Sequence, residues 1–314
     1  MKKYAICFFL TISITIACLI LVVLKPSPTL KLTTVKKAYS YVSCYQEEER
    51  IQVDILINDL NKSITNKEKY SSLSISDKTH HNELVLNLEK VIYRGENVTI
   101  NQESFYQYSY YFTVLFKTED KFLLEIDDAY LCMNYRNMDI NLAIGSFSYY
   151  KVPYFGDDKA HISISKLQPI VNDLEEEKIL VGVVMGITNQ TNQPITIEKI
   201  TALDLNLQFF SADFMVIEEE VFSNSNISTL LGKSYSLHGT KDNNEEVLLV
   251  IPSNTKVDYL LPIKYHGAFK TNKMGFLIEY KIGEEQNTLY YDEFLFFTTK
   301  TKNLSIGEVL TYEK

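Results

Sequence analysis

FYQYSYYFTVLF, residues 105–116, decides how the rest of the chain is read. Its rings and aliphatic groups fall on every second position, Tyr106, Tyr108, Tyr110, Phe112, Val114 and Phe116. Side chains of a strand alternate between its two faces, so this spacing predicts a strand with one wholly apolar face turned to a core. Phe105 and Tyr111 belong to the other face, with Gln107 and Ser109 between them. Rings on the second face of a strand are either a contact for a protein partner, since Tyr and Phe supply area at low entropic cost, or a face that packs under a loop or the second domain.

The same period recurs on both sides of this stretch. Ile51, Val53, Ile55 and Ile57 alternate, as do Leu84, Leu86 and Leu88, then Ile195 and Ile197, then Leu203, Leu205 and Leu207. Twenty-two Tyr and seventeen Phe among many Ile, Val and Thr suit a pleated surface, and no stretch beyond residue 37 sustains a helical period for long. An all-β fold is expected. At 314 residues with 46% hydrophobic and 23% charged side chains, the chain has core enough for about two domains of roughly 140 residues.

An internal similarity points to duplication. Phe116-Lys117-Thr118 leads to Phe122-Leu123-Leu124-Glu125-Ile126, and Phe269-Lys270-Thr271 leads to Phe276-Leu277-Ile278-Glu279-Tyr280. Upstream of each, an apolar run enters an Asn-bearing turn, at Ile55 to Ile64 and at Met185 to Ile195. The expected organisation is an anchor over 1–25, a spacer over 26–37, a first β-sandwich over 38–152, a linker over 153–157, a second β-sandwich over 158–302 and a tail over 303–314. The Ser- and Asn-rich stretch from Glu218 to Glu246 is expected as a surface excursion. Tyr154 and Phe155 in the linker are expected to bury at least one ring and stiffen the pair of domains into a rod.

With the turn GITNQTNQPITI at 186–197 and the strand FLIEY at 276–280, the chain over 38–300 resembles the immunoglobulin-like β-sandwiches that bacteria display on membrane anchors. The resemblance implies two such domains in tandem and a non-enzymatic binding or accessory role. It departs from antibody-type domains, since the chain has no Trp to pack on a disulfide.

The first residues fit that organisation. From Tyr4 to Leu24 the chain carries no charge, and twenty-one helical residues span about 30 Å, the thickness of a bilayer core. A transmembrane helix is expected to hold the protein to the membrane, with the bulk of the chain extracytoplasmic, because a short basic terminus before an apolar run is how export signals begin. Cleavage after Ala17, or lipidation at Cys18, are the competing readings. Lys25-Pro26-Ser27-Pro28-Thr29 reads as a short stiff spacer.

Beyond Lys2, Lys3 and Lys25 the chain keeps 28 basic against 40 acidic residues, a net charge of −12. Such a surface repels polyanions, so nucleic acid is not an expected partner; a protein is. Cys44 and Cys132 are the two thiols of the exported part, either bridged or simply buried. Ser163 to Lys166 and Ser253 to Lys256 match the S-x-x-K spacing, but neither lies in a helical context. His80 and His81, near Asp77, are the likeliest place for a hydrolase site in the competing enzymatic reading, and otherwise a solvated loop. No cofactor is expected.

Overall fold

A computed structural model describes residues 29–44, 48–60, 62–115, 122–152, 161–174, 177–204, 206–239, 248–267, 273–296 and 305–312. The chain is all-β, with nineteen strands and one four-residue helix among these residues. They form four sheets.

The alternating 105–116 stretch lies largely in β7 (Glu103–Leu115), which pairs on one side with β3 (Glu48–Ile57) and on the other with β6 (Asn87–Ile100). Beyond β3 come β1 (Leu30–Thr34) and then β19 (Leu310–Tyr312). A second sheet runs β2 (Lys37–Ser43), β9 (Met138–Lys151), β8 (Phe122–Tyr135), β4 (Tyr70–Ser76) and β5 (Glu83–Val85), with β2 parallel to β9. One buried cluster draws on both sheets, including Ile51, Val53, Ile55, Tyr108, Tyr110, Phe112, Leu131 and Tyr149.

The later residues build two further sheets. One orders β10 (Ile162–Leu174), β11 (Glu177–Asn189), β16 (Lys256–Tyr265) and β13 (Leu207–Phe209), with β14 (Met215–Val216) also on β16. The other orders β15 (Leu249–Ile251), β12 (Ile195–Ala202), β17 (Lys273–Ile282) and β18 (Glu285–Leu295). A second buried cluster draws on both, including Val181, Val183, Met185, Ile197, Leu261, Phe276 and Ile278.

Several sequence expectations change here. Leu30 and Leu32, from the expected spacer, are buried in β1, and the expected tail returns as β19 to pair Tyr312 with Leu30. Within the 218–246 excursion, Val221 and Ile227 are buried in the second cluster. Asn226 caps the helix Ile227–Leu230, its Oδ1 accepting from the Ser228 and Thr229 amides at 2.9 and 3.3 Å, so this part is docked. The Phe-Lys-Thr stretches and the linker rings Tyr154 and Phe155 lie outside the described residues. So does the expected anchor, and among the described residues no helix is long and apolar enough to cross a membrane.

Candidate functional site

Phe105 is not a surface ring. It is 1% exposed and packs with Val35, Leu56, Val98, Ile100 and Val309, so the face expected to meet a partner is covered at this point. The reason is the returning segment: Val35 bridges to Ile306, and the Thr33 hydroxyl donates to Gly307 O at 2.9 Å. Tyr111 stays half-buried, and its hydroxyl accepts from Arg94 Nη2 at 2.7 Å.

Both described cysteines are free thiols, which corrects the bridged alternative. Ser43, beside Cys44, pairs with Lys151, whereas Cys132 pairs with Asn141 ten residues earlier on the same strand. Ten residues of strand span about 33 Å, far beyond the roughly 7 Å limit between bridged Cα atoms.

The motif residues do not converge on chemistry. Ser163 to Lys166 lies in strand β10, where Lys166 Nζ sits 3.5 Å from Asp258 Oδ2. Lys256 Nζ is 3.2 Å from the same carboxylate. In the His80 and His81 loop, Asp77 accepts from the Thr79 hydroxyl at 2.8 Å and from the backbone amides of Thr79, His81 and Asn82, which together hold its carboxyl well below the usual carboxylate range. Its oxygens thus organise the loop, while His80 Nδ1 lies 3.1 Å from the Ser76 hydroxyl. Among the described residues no group of three or more His, Cys, Asp or Glu could hold a metal ion.

The most unusual chemistry lies where the two core clusters meet. Glu49 shares the inward parity of Ile51 and Val53 but sits near the start of β3, past the edge of the apolar cluster. There its Oε2 is 2.5 Å from Lys273 Nζ, which opens β17, and both side chains are at least 95% buried. Lys273 also lies 3.7 Å from Asp292 Oδ2, and that oxygen accepts the Cys44 amide at 2.6 Å. Lys151 is fully buried alongside, with Nζ 3.4 Å from Cys44 O.

Local geometry brings these groups together. The β17 and β18 register shifts between Met274 and Phe276, so two β18 residues, Asp292 and Glu293, stand against Gly275 alone. Gly275 permits the close approach of β2, because a Cβ there would lie 2.9 Å from Val42 Cγ1. Val42, Cys44 and Val152 then pack with Leu203 and Tyr290, and the Ser40 hydroxyl donates to Asp204 Oδ2 at 2.5 Å.

Electrostatics follow from that burial. It lifts the Glu49 carboxyl above its ordinary value, although the Lys273 charge and hydrogen bond pull the other way. Burial likewise lowers Lys151 against the pull of Asp292. The Cys44 thiol, buried and beside Asp292, is pushed up to about 12, so it is not a thiolate nucleophile at neutral pH.

An open cleft of about 700 Å³ borders this cluster, lined by Glu49 and Lys273 and by Arg50, Glu89, Lys90 and Tyr111. Arg50 Nε pairs with Glu89 Oε2 at 3.1 Å, and Lys90 Nζ stands 4.9 Å from the centre of the Tyr111 ring. Arg94 extends the network along the other face of β3: its Nε donates to the Ser109 hydroxyl at 2.6 Å, which donates to Asp54 Oδ1 at 2.6 Å. Lys37 Nζ meets Asp54 Oδ2 at 2.8 Å. The arrangement holds charged and aromatic groups at fixed places around an open space. Sequence reasoning located Tyr111 and missed Glu49 and Lys273, although an acid at an inward position of β3 was a readable sign.

No protein-family model matches the chain, and no curated protein matches it. Solved structures are similar to it over most of its length at low identity. A protein of unknown function from Porphyromonas gingivalis W83 is 9% identical, covering 84% of this chain and 98% of that one, with a TM-score of 0.20. The C-terminal domain of the Streptococcus agalactiae AgI/II polypeptide BspA is 8% identical over 84% and 99%, with a TM-score of 0.20. Bovine butyrophilin is 7% identical over 82% and 96%, with a TM-score of 0.18.

Proposed function

We propose that this is a membrane-anchored, extracytoplasmic binding or accessory module without enzymatic activity, built as two immunoglobulin-like β-sandwiches in tandem. Strand order supports the architecture. The series β1-β3-β7 and β9-β8-β4-β5 of the earlier residues has a counterpart in β10-β11-β16 and β18-β17-β12-β15 of the later ones. Phe122 to Ile126 opens β8 and Phe276 to Tyr280 lies in β17, which occupy corresponding places. The first sandwich then includes β1 and β19 as well as the residues from 38 to 152.

The observation that carries the binding role is the cleft beside Tyr111, whose walls come from β3, β6, β7, β17 and β18 and include the buried Glu49 and Lys273 pair. A partner would meet preset groups there, which lowers the entropic cost of association. Tyr111 keeps the role of candidate contact; Phe105 loses it.

The reading is tested with a photo-crosslinking residue at position 111 of the full chain in native membranes, and another at Phe222 as an exposed control. A discrete protein adduct at 111 and none at 222 is the expected result. Absence of any adduct at 111 would remove the cleft as a partner site.

A further inference from the structure

The end of the first core opposite the buried charge cluster has its own composition, and its place is set by chain length. That placement rests on the anchored reading above. Five residues, Lys25 to Thr29, separate the apolar run ending at Leu24 from Leu30, the first residue of β1. The six steps from Leu24 to Leu30 reach at most about 21 Å when extended, and the headgroup layer on each side of a bilayer core is itself roughly 6 Å deep. The end of the body that carries Leu30 therefore stands within about 15 Å of the headgroups.

Register identifies what else lies at that end. Leu32 pairs with Ile57 at the close of β3, Ile57 pairs with Tyr106, and Tyr108 pairs with Tyr93. Asn58 ties the following turn to β1, its Oδ1 accepting from the Lys31 amide at 2.9 Å and its Nδ2 donating to Thr29 O at 3.0 Å. The Tyr93 ring centre is 6.3 Å from Tyr106 and 5.3 Å from Tyr108, and the Tyr108 hydroxyl donates to Asp59 O at 3.3 Å. Next to Asp59, Leu60 is 50% exposed, and Tyr93 is 44% exposed.

A half-exposed leucine beside exposed and half-buried tyrosines is costly in open water and favourable at a membrane interface, where amphipathic rings sit at headgroup level. Charge here is mixed. Lys67 and Arg136 are exposed beside Glu68 and Asp139, and Lys31 is paired with Glu103, which suits a zwitterionic surface better than a strongly anionic one. We propose that this end, through Leu60, Tyr93 and Tyr106, rests in the headgroup layer of the bilayer that residues 4–24 span. The contact would fix the tilt of the body and point the cleft beside Tyr111 away from the membrane edge of the sheet.

Hydroxyl-radical footprinting of the full chain, one copy per phosphatidylcholine nanodisc, tests this against a chain with about twenty Gly and Ser residues inserted after Thr29, which add roughly 25 Å of mean reach. Leu60 and Tyr93 should be oxidised about threefold more slowly in the parent chain than in the extended one, as expected for groups half sunk among headgroups. Phe222 and Val250, exposed on the second core, should react alike in both. Slow oxidation of Leu60 and Tyr93 in both chains would also support the contact, as headgroup affinity that outlasts the short tether. Equal rates at the level of Phe222 and Val250 in both chains would overturn it. Failure of the chain to enter the discs would instead strike the anchored reading, a distinct outcome.

Discussion

Glu49 and Asp54 lie five residues apart on β3, both buried and both paired with a lysine, yet their surroundings push them in opposite directions. An odd interval places them on opposite faces of the strand. Glu49 looks into the junction, where burial outweighs the Lys273 charge, a hydrogen bond from Lys273 and one from the Arg50 amide, so its carboxyl rises above the usual 4.5. Asp54 looks outward under Lys37, Gln52 and Ser109. Burial pushes it up too, but the Lys37 charge and hydrogen bonds from Lys37, Ser109 and Gln52 outweigh that, and it falls below the usual 3.8. Both carboxylates have a lysine and hydrogen bonds, but Glu49 also faces the Asp292 charge, which raises it further, whereas Asp54 accepts from three side chains.

The largest effect should come from leaving the junction carboxylates uncompensated. Lys273→Met strands Glu49 and Asp292 in the interior and should cost about 3 kcal/mol of stability in urea unfolding, the usual scale for breaking a buried pair from one side. Adding Glu49→Leu should restore part of that, since it removes one of the two orphaned carboxylates and leaves Asp292 to the charge of Lys151. A single-variant loss below about 1 kcal/mol would show that Lys151 alone neutralises the cluster. Small-angle scattering on the same variant asks whether the junction also sets the orientation of the two clusters, the task that sequence reasoning gave to Tyr154 and Phe155.

On the other face of β3 the expected loss is smaller. Asp54→Asn leaves Lys37 without its carboxylate and should cost about 1.5 to 2 kcal/mol at pH 7, the low end of the range for hydrogen bonds to charged groups. The pH signs of the two sites differ. Asp54, held low in the fold, contributes stability above pH 3.8 that is lost as the pH falls through its folded pKa, so the Asn variant and parent should converge in acid. Glu49, held high, contributes most below pH 4.5 and loses that contribution as the pH rises through its folded pKa. Glu49→Gln should therefore flatten the decline of stability between about pH 4.5 and neutrality, and parallel pH curves for parent and both variants would remove the contrast.

Strand period was enough to place Tyr108, Tyr110, Phe112 and Val114 in a core, because that burial depends only on which face of β7 is apolar. It could not place Phe105, whose cover includes Val309 from a segment two hundred residues later in the chain. The junction was hidden for the same reason: Glu49 and Lys273 are 224 positions apart, and nothing local to either announces the other. Asn226 caps a helix and Asn189 organises its turn, its Oδ1 accepting from the Thr191 amide at 2.8 Å. The separation of Cys44 from Cys132 needed the register along β9, which no spacing in the sequence supplies.

The smallest expected effect belongs to the residue that sequence and structure both single out. Tyr111→Phe removes the hydroxyl that accepts from Arg94 Nη2 but keeps the ring beneath Lys90. Arg94 retains its bond to Ser109, whose hydroxyl still satisfies Asp54, so the Asp54 network should be left whole. The lost bond is solvent-exposed, where water replaces the partner, and the stability change should stay within about 0.5 kcal/mol. That outcome would separate Tyr111 from the framework around Asp54 and leave it free to act at the cleft. A loss above about 1 kcal/mol would instead make Tyr111 a member of that framework, because only coupling through Arg94 and Ser109 to the buried carboxylate could make an exposed hydroxyl so costly to remove.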